Sequence, residues 1–239
     1  LFQQMTIPPS IIQKIAINNV IIKLKNSNIW NSLDLLQTYA QETEQAGQLN
    51  WKVPSLYTAT AVNSPTWTLN QGYAGNGSTS YINTNWIPST NGVNYLLNSA
   101  CFFIYDRTSS SNANYIMGAA NLTGSKFAIL SPRIVNGNIV AYIHSDSNTQ
   151  IATSSSQGLT CVNRSASNAL QIYKNGVNIK NDTLDSSLGG VPTVKIYVGG
   201  YNYDDVLSAP RTDQISILGC GGSLNSTQQT DLYNAIQDY

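Results

Sequence analysis

Charge is scarce in this 239-residue chain: Lys, Arg, Asp and Glu together make up 10% of it, against about 25% in ordinary soluble domains. Twelve basic and twelve acidic residues cancel to a formal net charge of zero, and the basic residues form no patch along the chain. Electrostatic attraction to nucleic acid or to an anionic membrane is therefore not expected. Histidine is limited to His144 and glutamate to Glu42 and Glu44. One histidine cannot anchor a zinc site of the usual ligand count, and a serine triad would have His144 as its sole base with no nucleophile-elbow motif beside it. No run approaches the roughly 18 apolar residues of a membrane span, and the start LFQQMTIPPS lacks a charged region followed by an apolar one, so no membrane insertion is expected. A chain beginning at Leu1 rather than Met fits a fragment or a processed product. Cys101, Cys161 and Cys220 are an odd number, each in or beside an apolar run, and read as buried free thiols that pack as small hydrophobes.

Neutral polar residues fill the space that charge leaves. The chain holds 28 Asn, and 41% of its residues are apolar. Its surface must be covered by Asn, Ser, Thr and Gln, which hydrogen-bond without a long-range field. Five Asn-x-Ser/Thr sequons, at Asn76, Asn121, Asn163, Asn181 and Asn225, are about what chance gives in such a composition. The length suits one sizeable core, or a sandwich of about 200 residues with an appendage.

Residues 1–47 read as a helical arm. Ser10 caps a helix whose apolar positions, Ile11, Ile12, Ile15 and Ile22 among them, nearly encircle it. A second short helix is predicted from Ile29, Trp30, Leu33 and Leu36 at spacings of three and four. Residues 48–239 then read as β-structure with frequent turns. Leu170 and Ile172 alternate with Gln171 and Tyr173, and Val194, Ile196 and Val198 alternate with Lys195 and Tyr197, as half-buried strands require. Asn175-Gly176 signals a type I′ hairpin, and Asn136-Gly137 is expected to repeat the device. Ser226 with Gln229 fits a capping box for a final helix bearing Leu232 and Ile236. Many short strands with no interleaved helices predict an antiparallel sandwich.

The ordered segments Thr66–Trp86 (TWTLNQGYAGNGSTSYINTNW), a long strand over Tyr95–Tyr105, Tyr173-Lys174-Asn175-Gly176, and a last strand followed by Gly221-Gly222-Ser223-Leu224 and a helix complete the pattern. This order, over about Ile29–Tyr239, resembles the concanavalin A-like, laminin-G-like jelly rolls of bacteriophage virion proteins. The resemblance implies a mainly β, two-sheet antiparallel jelly-roll sandwich, here with an N-terminal helical arm and a C-terminal helix. It further implies a tail- or head-fibre protein on the exposed virion surface, contacts with other virion proteins, and homo-oligomers, commonly trimers.

Catalysis is not expected. Glycosidases of this fold set two carboxylates about 5–5.5 Å apart on one sheet face, and no strand here carries such a pair. Asp182 with Asp185, and Asp204-Asp205, fall in turn-rich segments. Binding is the better expectation. Tyr201, Asn202, Tyr203, Asp204 and Asp205 combine aromatic faces, an amide and carboxylates, a mixture that suits a cell-surface or mucus glycan, and Trp86 is a second ligand-facing candidate. Trp30, Trp51 and Trp67 are assigned to the core. No cofactor is expected, although Asp204 and Asp205 could give Ca²⁺ two of the six to eight oxygens it takes. The leading function is thus a non-enzymatic phage attachment module. A decoration module docked through its N-terminal helices is the alternative, and a glycan depolymerase is disfavoured.

Overall fold

The computed structural model describes residues 1–112 and 114–239. Strands β1 (Leu33–Thr38), β2 (Thr60–Val62), β3 (Thr66–Thr68), β4 (Gly72–Ala74) and β5 (Tyr81–Asn83) precede the longer β6 (Ala100–Asp106). A meander follows in β7 (Met117–Asn121), β8 (Lys126–Ser131), β9 (Asn138–Ile143) and β10 (Thr149–Ala152). A second meander comprises β11 (Gly158–Ala166), β12 (Ala169–Lys174) and β13 (Val177–Asp182). Last come β14 (Tyr197–Val198), β15 (Tyr201–Tyr203), β16 (Val206–Ser208) and β17 (Gln214–Gly221). The helices are α1 (Ile11–Asn26), α2 (Ile29–Ser32), α3 (Glu44–Gln48), α4 (Pro88–Asn91) and α5 (Ser226–Gln237).

These strands form the two antiparallel sheets of a jelly-roll sandwich. Sheet A runs β13-β12-β11-β6-β17-β4-β3, with β1 also paired to β17. Sheet B runs β10-β9-β8-β7-β14-β5-β2, and the β15–β16 hairpin joins it along β7. Inward side chains of both sheets, including Phe102, Ile104, Met117, Ala119, Ala128, Leu130, Ala141 and Ile172, form the inter-sheet core. The other face of sheet A is also covered. Cys101, Phe103, Cys161, Tyr173 and Ile217 pack there against Ile17, Val20 and Leu24 of α1 and Leu232 and Ile236 of α5. The central strands of sheet A are therefore covered on both sides, while sheet B turns one face to solvent.

Local chemistry explains the element ends. The Ser10 hydroxyl accepts from the Gln13 amide at 3.1 Å and starts α1 as expected. At α5 the capping box forms one residue earlier than expected, with Asn225 and Gln228 exchanging side-chain and backbone bonds. Asn175 and Gly176 take φ of +50° and +78°, the expected I′ hairpin. Asn136-Gly137 differs, because Gly137 alone has positive φ and its amide donates to Ile134, which makes a longer turn closed by a glycine bulge. In the Gly72–Gly77 segment, the Asn76 side chain accepts from the amides of Ser78, Thr79 and Ser80 at 2.9, 2.8 and 3.0 Å and holds the reversal. A Cβ on Gly75 would stand 2.1 Å from the Arg211 carbonyl, so that position takes glycine.

Two expectations are corrected. The second helix predicted from Ile29 to Leu36 stops after one turn, and Leu33–Thr38 is strand β1, paired to β17 from Leu33↔Gly221 to Thr38↔Ile217. Trp86 is fully buried against Tyr95, ring centroids 5.6 Å apart, and belongs to the core rather than to a ligand surface. Trp51 is buried as expected, against Tyr239 at 5.5 Å. Trp67 is half-buried beside the core, donating to the Tyr39 carbonyl at 3.1 Å. Trp30 is half-buried under the ammonium of Lys52, 4.5 Å from its ring centroid. The three cysteines are buried free thiols on β6, β11 and β17. Among the described residues, no helix is long and apolar enough to cross a membrane.

Candidate functional site

The open face of sheet B carries the side chains that point away from the core. Because Ala128 and Leu130 of β8 face inward, Phe127 and Ile129 face out; because Ala141 and Ile143 of β9 face inward, Tyr142 faces out. Ala120 of β7 lies between them in register with Phe127 on one side and with Tyr203 of β15 on the other. A small residue flanked by two aromatic ones leaves a trough. Its walls stand two strand spacings apart, roughly 9.5 Å between backbones.

That trough is a cavity of about 210 Å³ lined by Tyr115, Ala120, Phe127, Ile129, Tyr142, Asp146, Tyr201 and Tyr203. Its rings meet edge to face. Tyr115 lies 6.2 Å from Tyr142 and 5.5 Å from Tyr201, Phe127 lies 5.6 Å from Tyr142, and Tyr201 lies 6.2 Å from Tyr203. Such packing fixes the rings against one another. Burial, then the neighbouring Tyr142 hydroxyl, push the Tyr115 phenol above its ordinary value, so it stays a neutral hydrogen-bonding group. The Tyr142 hydroxyl accepts from Asn148 Nδ2 at 3.1 Å. Asp146 is exposed at the rim, where its Oδ1 accepts from the Ser147 hydroxyl at 3.0 Å.

The five candidates at 201–205 divide between groove and scaffold. The segment is a hairpin rather than a loop, with β15 and β16 paired from Tyr201↔Ser208 to Tyr203↔Val206. Tyr201 and Tyr203 line the groove. Asn202 points inward, fully buried, and donates to the Lys195 carbonyl at 2.8 Å. Asp204 is committed to the scaffold: its two oxygens accept from Asn121 Nδ2 at 2.9 Å and from the Leu122 amide at 3.1 Å. Asp205 is exposed in the turn, at φ of +68°. Among the described residues, no three His, Cys, Asp or Glu side chains converge around Asp204 and Asp205.

Tyr115, Phe127, Tyr142 and Asp146 were not legible as site residues. The signal that could have found them is the run of outward aromatic positions on consecutive strands of one meander. It needs the strand order to be read. His144, two residues from Asp146, is fully buried instead; burial holds its pKa down to about 4, against the opposing pull of its contact with the Leu97 carbonyl.

A larger hollow of about 310 Å³ lies beside Gln13, Tyr105, Arg107, Gln237 and Tyr239, where α1 and α5 meet sheet A. Its glutamines and tyrosines are already hydrogen-bonded, whereas the Arg107 side chain has no such partner among the described residues. Gln13 and Gln41 both donate to the Tyr239 hydroxyl at 2.5 Å, and Gln237 donates to that of Tyr105 at 3.4 Å. The aromatic groove is the better candidate because it gathers five aromatic side chains around the small Ala120 floor.

No family model matches the chain, and no curated protein matches it in sequence. Solved structures match its fold. A structure concerned with botulinum neurotoxin type C, whose cell entry depends upon interaction with two ganglioside molecules, aligns with a TM-score of 0.60 and 15% identity over 88% of this chain and 53% of the toxin chain. Trypanosoma rangeli sialidase in complex with sialic acid aligns at 0.59 and 11%, over 92% of this chain and 38% of the sialidase. Domain 4 of AbnA, a GH43 extracellular arabinanase from Geobacillus stearothermophilus in complex with arabinotriose, aligns at 0.53 and 16%, over 84% of this chain and 98% of that domain. The chain spans about half the length of the neurotoxin chains it matches. At these identities the likeness establishes the sandwich fold.

Proposed function

We propose that this protein is a non-enzymatic carbohydrate-binding module that holds a glycan in the aromatic groove of sheet B. The observation that carries the reading is the set of Tyr115, Phe127, Tyr142, Tyr201 and Tyr203 around the Ala120 floor. Pyranose rings stack their C–H faces on such aromatic surfaces, and the phenol hydroxyls and Asp146 exchange hydrogen bonds with sugar hydroxyls. Solved structures of this fold support it: a neurotoxin whose cell entry depends upon interaction with two ganglioside molecules, a sialidase in complex with sialic acid and an arabinanase domain in complex with arabinotriose. Against hydrolysis, Asp146 is the one carboxylate among the described groove residues, where glycosidases ordinarily use two. The ordered segments shared with phage jelly rolls support a place on the exposed surface of a virion, in head or tail, as an attachment module among other virion proteins.

A glycan array should give hits that Tyr203→Ala weakens by about tenfold, the range for losing one aromatic contact in a desolvated pocket. Ala120→Leu tests the same groove by filling its floor and should abolish those hits in a protein that still folds. An array blank for the wild-type protein, or hits indifferent to both variants, would overturn the reading. Polysaccharide incubated with the wild-type protein should keep its size; shortening would restore the depolymerase alternative.

A second reading rests on α1, where Ile11, Ile12 and Ile15 are 75%, 81% and 55% exposed, with Ile7 and Ile22 beside them. Self-association through this face would remove these side chains from water in an interface of the small, reversible class. The partner it fits is a second copy of this chain, giving the homo-oligomer of a fibre or decoration protein. Sedimentation should show a concentration-dependent oligomer that Ile12→Glu dissociates; a monomer at all concentrations would refute it.

A further inference from the structure

Resting on the glycan reading, we infer that the groove selects sugars carrying a free amino group, glucosamine-type units, over N-acetylated and acidic ones. Six of its eight lining residues favour positive charge, and the other two, Ala120 and Ile129, are aliphatic. Four tyrosines and a phenylalanine present electron-rich ring faces, and Asp146 is the one ionisable carboxylate; no Lys, Arg or His lies among the described residues of the lining. An ammonium within about 6 Å of a ring centroid is drawn to the ring face, and more so where several rings surround it. The edge-to-face chain Phe127–Tyr142–Tyr115–Tyr201–Tyr203 provides such a surround, because successive rings are turned by 70° to 88° and so present walls rather than one flat platform.

Asp146 completes the site at the rim. The Ser147 hydroxyl occupies its Oδ1, and Oδ2 has no side-chain or backbone donor among the described residues. The nearest base along β8 is directed elsewhere, with the Lys126 side chain packed against Gly190. A sugar carboxylate entering here would meet Asp146 and the ring faces with no cation to receive it. An N-acetyl group would keep the stacking and lose the ion pair. This sets the groove apart from a site that pairs an acidic sugar with Arg or Lys.

The test is calorimetric binding of a glucosamine tetrasaccharide, its N-acetylated counterpart and sialyllactose to the full chain, repeated with Asp146→Asn and with Tyr203→Ala. The expected result is about a tenfold preference for the glucosamine oligomer over its N-acetylated form, a size suited to one exposed ion pair plus a cation–π contact. Asp146→Asn should cut that preference to about threefold, because it removes the ion pair that the glucosamine oligomer alone adds to the hydrogen bonds both ligands share, and 1 M salt should cut the preference likewise in the wild type. Tyr203→Ala should weaken both ligands. Equal or tighter binding of the N-acetylated or sialylated ligand, or a preference that Asp146→Asn leaves intact, would overturn this inference and leave the glycan reading standing. Absence of binding to all three, with an array equally blank, would overturn both.

Discussion

Asp106 and His144 are buried ionisable groups with opposite effects on stability. The Asp106 Oδ1 accepts from the amide and hydroxyl of Thr108 at 2.9 and 2.8 Å, while Oδ2 has no partner among the described residues. Burial, and then the negative Asp213 nearby, push its pKa up to about 6. His144 is held neutral with a pKa of about 4, chiefly by burial, with the Arg164 guanidinium adding to the effect. The signs follow from which state binds the proton more tightly. Unfolded histidine takes its proton near 6.5, so the His144 contribution is complete above that pH and is lost as pH falls toward 4. Asp106 binds its proton more tightly in the folded state, so its contribution is complete below about 4 and is lost as pH rises through 6. Across pH 4–6.5 the two oppose each other, each on the order of 3 kcal/mol. Asp106→Asn removes one side of this balance. Urea denaturation should find the variant no more stable than the wild type near pH 4 and progressively more stable than it from pH 4 to 6.5. A difference between the two proteins that stays constant with pH would show that Asp106 is not perturbed.

Among the elements, the β15–β16 hairpin joins scaffold to site. Its turn places Asp204 and Asp205 at φ of +47° and +68°, as a type I′ turn demands, and Asp204 ties the tip to Asn121 and Leu122 at the end of β7. Asn121 in turn accepts from the Thr193 amide at 2.8 Å, so one contact network fixes the height of Tyr203 above Ala120. Asp204→Ala should cost about 1 kcal/mol of stability by thermal melting and weaken glycan binding severalfold through displacement of Tyr203. Asp205→Gly should leave both unchanged. Asp204 is a positioning residue, and binding equal to wild type in Asp204→Ala would deny it that role.

The same scale explains what the chain disclosed in advance. Turn chemistry carried over well, because Asn175-Gly176 and Ser10 act through neighbours within three residues. Strand β1 did not. With Leu33, Leu35 and Leu36 all buried, between the inter-sheet core and the helices on sheet A, its pattern lost the alternation of a strand and imitated a helix. The burial of Trp86 is illegible for a related reason: Asn85 at φ of +56° redirects the chain, and nothing in the surrounding polar residues reports that the indole turns inward. Tyr201 and Tyr203 can be grouped from the sequence because two tyrosines share one segment, whereas Tyr115, Phe127 and Tyr142 line the same groove only after β7, β8, β9 and β15 have paired.

Over the whole molecule, the division of labour between the sheets decides what the N-terminal region does. Residues 1–47 include α1, which seals sheet A together with α5, and β1, which occupies part of the β17 edge. Removing residues 1–28 would uncover Leu36, Trp51, Ile217 and Ile236 while leaving both sheets paired. Several buried side chains at about 1.5–3 kcal/mol each are at stake, comparable with the whole stability of a domain. That truncation should melt many degrees lower and self-associate through the bared sheet, yet at low temperature it should keep its glycan affinity, because the groove lies on the other sheet. Removing residues 1–47 also takes away β1 and leaves the backbone groups of Ile217–Gly221 unpaired on that edge, so residues 48–239 alone should not yield a cooperative melt. A 48–239 fragment that melted like the full chain would mean that the region acts as an appended arm, with its apolar helix reserved for another copy, and not as part of the sandwich.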